Sequence, residues 1–161
     1  MLDSGGLELG VVDDVEISFP RHSIYLRVKG EKLRDVRGRL EEYIPINEAD
    51  RIGDVIHLYK DFKALSEVIK KVEMSSKETY ITSRLIGMTV VSIDHEEIGK
   101  IADLLVTKDK WKLFYVVEGP KVKKLRGNLR ETLPFYEVDS IDECVKIDLS
   151  YGDLAKKLSY Y

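Results

Sequence analysis

The stretch "RGNLRETLPFYEVDSI", residues 126–141, closely matches an earlier stretch of the same chain, "RGRLEEYIPINEADRI", residues 37–52. The two stretches lie 89 positions apart, a distance we call the repeat offset. At this offset residues 1–72 align with residues 90–161 without a gap, and 15 of the 72 pairs are identical. Chance at average composition would give roughly four identities. The alignment therefore predicts two copies of one structural unit.

The residues shared by the two copies are of kinds that determine turns and cores. Glycine tolerates backbone conformations that other residues avoid, so shared glycines predict shared turns. Apolar residues at matching positions predict a shared core. The identical pairs include Gly10/Gly99, Asp14/Asp103, Gly30/Gly119, Gly38/Gly127, Pro45/Pro134, Glu48/Glu137, Asp50/Asp139 and Ile52/Ile141. The apolar pairs include Val15/Leu104, Ile17/Val106, Ile24/Leu113, Tyr25/Phe114, Val55/Cys144, Ile56/Val145 and Leu58/Ile147.

Each copy is predicted to be mainly β. In the second copy, "RLIGMTVVSI" (84–93), "IGKIADLLVT" (98–107) and "WKLFYVVEG" (111–119) are short runs rich in valine, isoleucine and aromatic residues, which favour strands. The runs "ETLPFYEVDSI" and "ECVKIDL" follow them. Several short strands at about ten-residue spacing are typical of a small barrel or sandwich.

A short helix is predicted at the end of each copy. In "DFKALSEVIKKV" (61–72) the apolar residues recur at helical spacing, and Asp61 is placed to cap the N-terminus. In "SYGDLAKKLSYY" (150–161), Ser150 and Asp153 have the spacing of a capping box. The apolar faces that we expect to pack against the strands are Phe62, Leu65, Ile69 and Val72 in the first helix and Tyr151, Leu154, Leu158 and Tyr161 in the second.

The predicted organisation is a degenerate first copy (1–72), a linker (73–82) and a complete second copy (83–161). The second copy opens with "SRLIGMTV" (83–90), whose counterpart would precede Met1, so the first copy is predicted to lack its opening strand. A missing strand leaves an open edge that invites another strand, from the linker or from another chain. The candidate edge strand for such pairing carries Leu85, Ile86, Met88 and Val90.

Residues 83–148 resemble the PRC-barrel family. The resemblance is carried by the "LIG" of residues 85–87, the "IGKIADL" of residues 98–104 and the "LPFYEVDSI" of residues 133–141. The first copy matches more loosely, through "LGVVDDVEI", "IYLRVKG" and "IPINEADRI". The resemblance implies a small six-stranded β-barrel, and the repeat then implies two such barrels in tandem, each followed by a short C-terminal helix.

The resemblance also implies a function in assembly. PRC-barrel domains serve as interaction modules in the H subunit of photosynthetic reaction centres, in the ribosome-maturation factor RimM and in archaeal cell-division proteins. The leading hypothesis is a non-enzymatic archaeal division factor that binds SepF and polymerises with itself or with another PRC-barrel protein, with an indirect link to FtsZ. It implies a homo- or hetero-oligomer at the division site. The alternative is an RNA-linked adaptor in ribosome maturation.

The sequence contains no recognisable catalytic or metal-binding motif. The three histidines, His22, His57 and His95, lack metal-ligand spacing, and neither phosphate-binding glycine motif is present. Cys144 aligns with Val55, which favours a small apolar role over a nucleophilic one. We therefore expect no catalytic residues, no metal and no cofactor, and a protein that is not an enzyme.

A basic segment, "PKVKKLRGNLR" (120–130), is the main charged feature of the surface. Such a segment can contact RNA phosphates, an anionic membrane surface or an acidic protein, or it can be a solvated loop between strands. The segment has no aromatic residue to stack on bases, so nucleic acid is not the expected partner. The candidate binding residues are Lys121, Lys123, Lys124, Arg126 and Arg130.

Composition places the chain among globular proteins. It has 161 residues, 43% hydrophobic and 34% charged, with a formal net charge of -3. No apolar run approaches the roughly 20 residues of a membrane-spanning helix, and the N-terminus does not resemble a signal peptide. Only one cysteine is present. These features predict a cytoplasmic protein with no direct membrane insertion.

Overall fold

The structure, a computed structural model, describes residues 1–19, 22–74, 79–107, 111–126, 131–134 and 137–159. The chain divides into two compact units, Met1–Ser83 and Arg84–Tyr161, which we call the first and second unit. The division follows Ser83, so the whole of the predicted linker (73–82) belongs to the first unit. Both units are mainly β, as the sequence predicted.

The described residues of the first unit form six strands and two helices. Its elements in chain order are β1 (Val11–Ser18), β2 (Ser23–Lys29), a 3-10 turn (Glu31–Leu33), α1 (Arg34–Arg37), β3 (Glu41–Pro45), a 3-10 turn (Ile46–Glu48), β4 (Ala49–Arg51), β5 (His57–Leu58), α2 (Phe62–Lys71) and β6 (Thr79–Ile81). Four strands form a sheet in the order β3-β2-β1-β6, and β4 pairs with β5. Alternate residues of β2, namely Ile24, Leu26 and Val28, are buried, which is the two-residue period of a strand with one face in the core.

The second unit is built around a single sheet. Its elements are α3 (Thr82–Leu85), which begins before the unit boundary, then β7 (Thr89–Val91), β8 (Glu97–Thr107), β9 (Lys112–Glu118), α4 (Pro120–Arg126), β10 (Glu131–Pro134), β11 (Val138–Ile141), β12 (Val145–Ile147) and α5 (Tyr151–Ser159). The six strands have the order β10-β9-β8-β7-β12-β11. All neighbouring strands are antiparallel except β12 and β7, which are parallel.

The helices predicted at the end of each copy are confirmed. Asp61 caps α2, because its Oδ1 accepts a hydrogen bond of 2.8 Å from the N–H of Ala64. Ser150 caps α5, because its Oγ accepts a hydrogen bond of 3.0 Å from the N–H of Asp153. Leu65 of α2 and Leu154 of α5 are fully buried, so the apolar faces pack inward as expected. Tyr161, predicted to belong to the second apolar face, lies outside the described residues.

The predicted strand over residues 83–90 is wrong over most of its length. Residues 82–85 form the helical turn α3, and Gly87 has a φ of 86°, which an extended strand cannot contain. Leu85 lies in this helical turn and is buried. Ile86 lies in the turn that follows, which precedes Met88, and is exposed. The strand β7 begins only at Thr89.

The prediction that this segment forms a sheet edge is also wrong. Val90 of β7 pairs with Gly99 of β8 on one side and with Val145 of β12 on the other. Both sides of the strand are therefore occupied within its own sheet. The apolar residues of this segment serve the core, since Val90 is fully buried.

The first unit retains the end of the opening strand that the sequence predicted to be missing. Leu2 pairs with Glu8 in antiparallel fashion and with His57 in parallel fashion. In the second unit, Val91 makes the corresponding pairs with Glu97 and Lys146. Val91, Glu97 and Lys146 are the counterparts of Leu2, Glu8 and His57 at the repeat offset. Met1 and Leu2 therefore occupy the position that Val90 and Val91 of β7 occupy in the second unit.

The linker also contributes a strand. The linker was one of the two predicted sources of an added strand, the other being another chain. Strand β6 (Thr79–Ile81) pairs in antiparallel fashion with Glu16, Ile17 and Ser18 of β1. Leu2 pairs with Glu8, which precedes β1. The edge at the end of β1 is thus covered by β6, a segment of the same chain.

Candidate interaction surface

The predicted basic segment begins in a helix rather than in a loop. Pro120 is the first residue of α4, a position where its missing N–H and fixed φ favour helix formation. Val122 is buried at 1% exposure and anchors the helix. Of the five predicted residues, Lys121, Lys123 and Lys124 lie in α4, and Arg126 is its last residue. The side chain of Arg126 and the whole of Arg130 lie outside the described residues.

Lys121 is engaged inside the second unit. Its Nζ donates a hydrogen bond to the Glu96 carboxylate and lies 5.1 Å from the centre of the Tyr151 ring. The hydrogen bond to Glu96 is the main cause that raises the pKa of Lys121, so the ammonium stays charged. Lys121 therefore connects α4 to the turn before β8 and to α5, and it is not available as a free cation.

Lys123 and Lys124 are the part of the segment that faces solvent. Both side chains are exposed, and within the described part of the chain neither takes part in an ion pair. The corresponding positions in the first unit are Arg34 and Asp35, which carry opposite charges. A small positive patch of two lysines is thus a property of the second unit.

Two buried glutamates at corresponding positions have structural contacts. Glu48 and Glu137 are each 8% exposed and are related by the repeat offset. The carboxylate of Glu48 accepts a hydrogen bond from Lys60, and that of Glu137 accepts one from Lys157. Their backbone carbonyls accept the N–H groups of Tyr59 at 3.0 Å and Asp148 at 2.7 Å. Each glutamate therefore connects its own position in the chain to a later part of its unit.

Asp3 is a third buried carboxylate with a structural role. It accepts backbone N–H groups from Gly5 at 2.9 Å, Leu7 at 2.8 Å and Phe62 at 2.8 Å. Burial raises the pKa of Asp3, but these hydrogen bonds outweigh that effect and hold the pKa below its usual value. The ionised side chain thus fixes the N-terminal turn and the start of α2.

Asp3 also lines an open cleft of about 450 Å³ in the first unit. Because its two carboxylate oxygens are occupied by backbone N–H groups, Asp3 is not placed to act as a base or a ligand there. The remaining residues around the cleft are Ser4, Gly5, Gly6, Asp50, His57, Leu58 and Tyr59.

The three histidines lie in different local elements of the structure. His22 and His95 occupy left-handed turn positions, with φ of 52° and 61°, and His57 lies on β5. Cys144 is a free, half-buried thiol. Among the described residues, no group of three histidine, cysteine or carboxylate side chains could hold a metal ion.

The sequence analysis did not single out the exposed apolar end of β8. Leu105 is 46% exposed and Val106 is 37% exposed. Their counterparts at the repeat offset are Glu16, which is 5% exposed, and Ile17, which is fully buried. The signal in the sequence was that the second copy has Leu105 where the first copy has Glu16. The exposure of Leu105 and Val106 depends, in addition, on which segments cover each strand.

Comparison with known proteins gives one family match. A family model described as PRC-barrel domain matches residues 77–154. Among solved structures, the chain is similar to the 16S ribosomal RNA processing protein RimM of Pseudomonas aeruginosa, with 19% identity and a TM-score of 0.38. That alignment covers 89% of this chain and 94% of the other. No curated protein matches the chain significantly.

The family match agrees with the architecture of the second unit. The matched residues contain all six strands of its sheet and the start of α5. None of the helices that the structure describes combines the length and the apolar character needed to cross a membrane. The similarity to the PRC-barrel model over residues 77–154 thus covers the whole described sheet of the second unit.

Proposed function

We propose that the protein is a non-enzymatic interaction protein made of two PRC-type units in tandem. The observation that carries the proposal is the PRC-barrel match over residues 77–154, because domains of this family serve as interaction modules. The buried carboxylates support it, since Asp3, Glu48 and Glu137 accept hydrogen bonds that hold the fold together. The exposed features considered for partner binding are the end of β8 with Leu105 and Val106, and the lysines Lys123 and Lys124.

Recurrent hydrogen bonds support the tandem arrangement. The N–H of Asp3 donates to the carbonyl of Leu7 at 2.9 Å, and at the repeat offset Ser92 donates to Glu96 at 2.9 Å. The bond from Ser4 to Lys60 at 3.0 Å recurs as the bond from Ile93 to Leu149 at 3.1 Å. Bonds between distant parts of the chain recur in this way only when the two folds share a register.

The irregularities of the strands recur as well. The pairing of β1 with β2 shifts register between Val12 and Asp14, and that of β8 with β9 shifts between Ile101 and Asp103. A β-bulge is a specific feature that bends a strand at one residue. Bulges at matching positions support two copies of one unit rather than two unrelated β structures.

The proposed partners are proteins of archaeal cell division. By its resemblance to PRC-barrel division proteins, the chain is proposed to bind SepF and other PRC-barrel proteins in the cytoplasm at the division site, and through them to act on FtsZ. Two similar units on one chain offer two similar surfaces, so one molecule can contact two partners or polymerise. No direct insertion into the membrane is proposed.

A second candidate is an RNA-linked adaptor in ribosome maturation. The observation that favours it is the pair of exposed lysines, Lys123 and Lys124, on α4. Lysines that contact phosphates release counterions, so RNA binding through them would weaken steeply as salt rises.

One binding experiment separates the two candidates. The full chain is titrated with purified SepF and, separately, with a ribosomal RNA fragment, each at 50 mM and 200 mM salt, conditions between which phosphate contacts lose much of their affinity. The variant Lys123→Ser/Lys124→Ser is compared with Lys63→Ser/Lys71→Ser, which removes two exposed lysines from the first unit.

The division proposal expects SepF binding at both salt concentrations and no RNA binding that depends on Lys123 and Lys124. RNA binding that falls with salt and is lost in the Lys123→Ser/Lys124→Ser variant alone would favour the adaptor. The absence of binding to SepF, to another PRC-barrel protein and to RNA would contradict both candidates.

A further inference from the structure

The end of β8 is an exposed strand edge whose counterpart in the first unit is covered. Strand β7 pairs with β8 only from Glu97 to Lys100, and the carbonyl and N–H of Ile101 are bonded to Gly87 and Met88. Beyond that point, no described segment pairs with Asp103–Thr107 on the side opposite β9. In the first unit β6 pairs with the matching residues of β1, Glu16–Ser18.

The exposed edge has protective features only at its start, where the Asp103 carboxylate and the β-bulge between Ile101 and Asp103 lie. Natural edges are usually guarded by lysine, proline or inward-pointing charges. The residues from Leu104 to Thr107 are Leu-Leu-Val-Thr and contain none of these. Leu105 and Val106 are exposed at 46% and 37% on this edge. An uncharged apolar edge of this kind is suited to accept another strand.

We infer that Asp103–Thr107 of β8 pairs in antiparallel fashion with the same residues of a second copy of this chain, about a two-fold axis at Leu105. This inference rests on the proposed function as an interaction protein and names the surface used for self-association. The antiparallel direction is the one in which β6 pairs with β1 at the equivalent edge.

In this register, the side chains of the edge are complementary to those of the same edge in the second copy. Leu105 lies opposite Leu105 of the second copy, Leu104 opposite Val106, and Asp103 opposite Thr107, so no like charges face each other. The Asp103 carboxylate is exposed and accepts the N–H of Leu104 at 2.7 Å. Among the described residues, the Thr107 hydroxyl donates one long hydrogen bond of 3.5 Å, to the carbonyl of Lys112.

The first unit shows what an aspartate at this position binds when its edge is covered. Asp14, the counterpart of Asp103, accepts hydrogen bonds from the hydroxyls of Ser83 at 2.6 Å and Thr82 at 3.1 Å, in the residues that follow β6. In the self-paired edge, the hydroxyl of Thr107 from the second copy takes the role that these two hydroxyls have in the first unit.

The two-fold contact closes on itself, because each edge is used once by its own counterpart. The equivalent edge of β1 is occupied by β6, so it does not offer the same contact. The expected product of this surface is a dimer. Filaments of the chain would require a different surface.

A charge-swap experiment on the full chain tests the inference. Leu105→Lys and Leu105→Glu each place two like charges opposite each other across the two-fold axis, which opposes pairing. Light scattering after size exclusion, over a range of protein concentrations, is expected to show a dimer for the unchanged chain and a dissociation constant raised at least about tenfold for either variant. An equimolar mixture of the two variants is expected to regain the dimer.

The matched control is Ile52→Lys, which introduces the same charge at a residue of similar exposure, 44%, in the first unit. It is expected to leave the dimer intact. Hydrogen exchange on the unchanged chain gives a second measurement that needs no variant, with protection of the amides of residues 103–107 expected to rise with concentration.

A monomer at all concentrations would overturn the inference, as would a dimer that neither Leu105 variant weakens. Titration of SepF against the Leu105→Lys variant keeps the proposed function separate. A chain that binds SepF but never dimerises contradicts only the inference, whereas a dimer that binds no protein partner contradicts only the proposed function.

Discussion

The end of β1 and the end of β8 are corresponding segments of the two units that lie in different surroundings. Ile17 in β1 is fully buried, whereas Val106, its counterpart in β8, is 37% exposed. Both strands pair with the next strand in the same antiparallel register. They differ in that β6 pairs with β1 and no described strand pairs with the end of β8. At these two strand ends, burial thus differs together with the presence of a non-local neighbour.

The largest expected effect concerns a feature that both units share. Gly10 in the first unit and Gly99 in the second lie very close to the backbone of the neighbouring strand. A Cβ on Gly10 would lie 2.0 Å from the carbonyl oxygen of Lys29, and one on Gly99 would lie 2.4 Å from that of Glu118. Such overlaps force the backbone apart, so Gly10→Ala and Gly99→Ala are each expected to lower the free energy of unfolding by more than about 3 kcal/mol. Gly53→Ala is the control, since its Cβ would meet no atom within 4 Å.

Urea unfolding followed by circular dichroism measures the effect on either unit. The fluorescence of Trp111, the only tryptophan, reports on the second unit alone. Gly99→Ala is expected to shift the Trp111 transition to lower urea. If Gly10→Ala unfolds at the same urea concentration as Gly53→Ala, the close approach does not constrain the first unit.

The next effect separates the two strand ends directly. Ile17→Ala removes buried methyl groups and is expected to lower the free energy of unfolding by about 2–5 kcal/mol. Val106→Ala, at the matching exposed position, is expected to lower it by about 1 kcal/mol or less. Urea unfolding at low protein concentration measures both values without a contribution from self-association. Equal losses would mean that β6 does not account for the difference between the two strands.

A smaller effect is expected at the aspartates that follow the two bulges. Asp14 accepts hydroxyl hydrogen bonds from Thr82 and Ser83, whereas Asp103 accepts only the N–H of Leu104 among its described contacts. Asp14→Ala is therefore expected to destabilise the chain by about 1–2 kcal/mol, and Asp103→Ala by about 0.5 kcal/mol. Thermal unfolding at neutral pH compares the two. A larger loss for Asp103→Ala would contradict the role given to the hydroxyl contacts.

The smallest effect is a dependence of stability on pH. Burial raises the pKa of Asp14, but hydrogen bonds from Ser83, Val15 and Thr82 outweigh it, so the pKa lies below its ordinary value. Since the unfolded pKa is about 3.9, the stability that Asp14 contributes is present above about pH 4 and is lost as pH falls through the folded pKa. Unfolding measured from pH 6 to pH 3 is expected to show a weaker dependence in Asp14→Asn. An unchanged dependence would assign the acid sensitivity to other carboxylates.

Much of each unit could be predicted from local sequence signals. The strands β2 and β9 follow from runs of β-branched and aromatic residues, and α2 and α5 follow from their caps and apolar spacing. These signals succeed because they depend on residues close together in the chain. The predicted strand at 83–90 failed because Gly87 adopts a left-handed φ and Leu85 is buried from a helical turn, two facts that an apolar run does not reveal.

The candidate surface was less predictable than the fold. Lys121 was predicted to bind a partner because of its charge, but its side chain contacts Glu96 and Tyr151 of the same unit. The apolar residues Leu105 and Val106 were expected to lie in an ordinary strand, and only the pairing of neighbouring strands shows that they are exposed. Whether a strand edge is covered is a property of the assembled sheet, so the sequence of that strand alone does not predict it.

The sequence by itself determined the repeat, its offset and the positions of the shared glycines and helix caps, because these depend on which residue types each backbone position tolerates. Only the tertiary structure decided that Leu2 takes the place of an opening strand and that β6 covers β1 and leaves β8 uncovered. Strand pairing is made by backbone groups that every residue carries. Its partners are therefore chosen by where the whole chain brings them together.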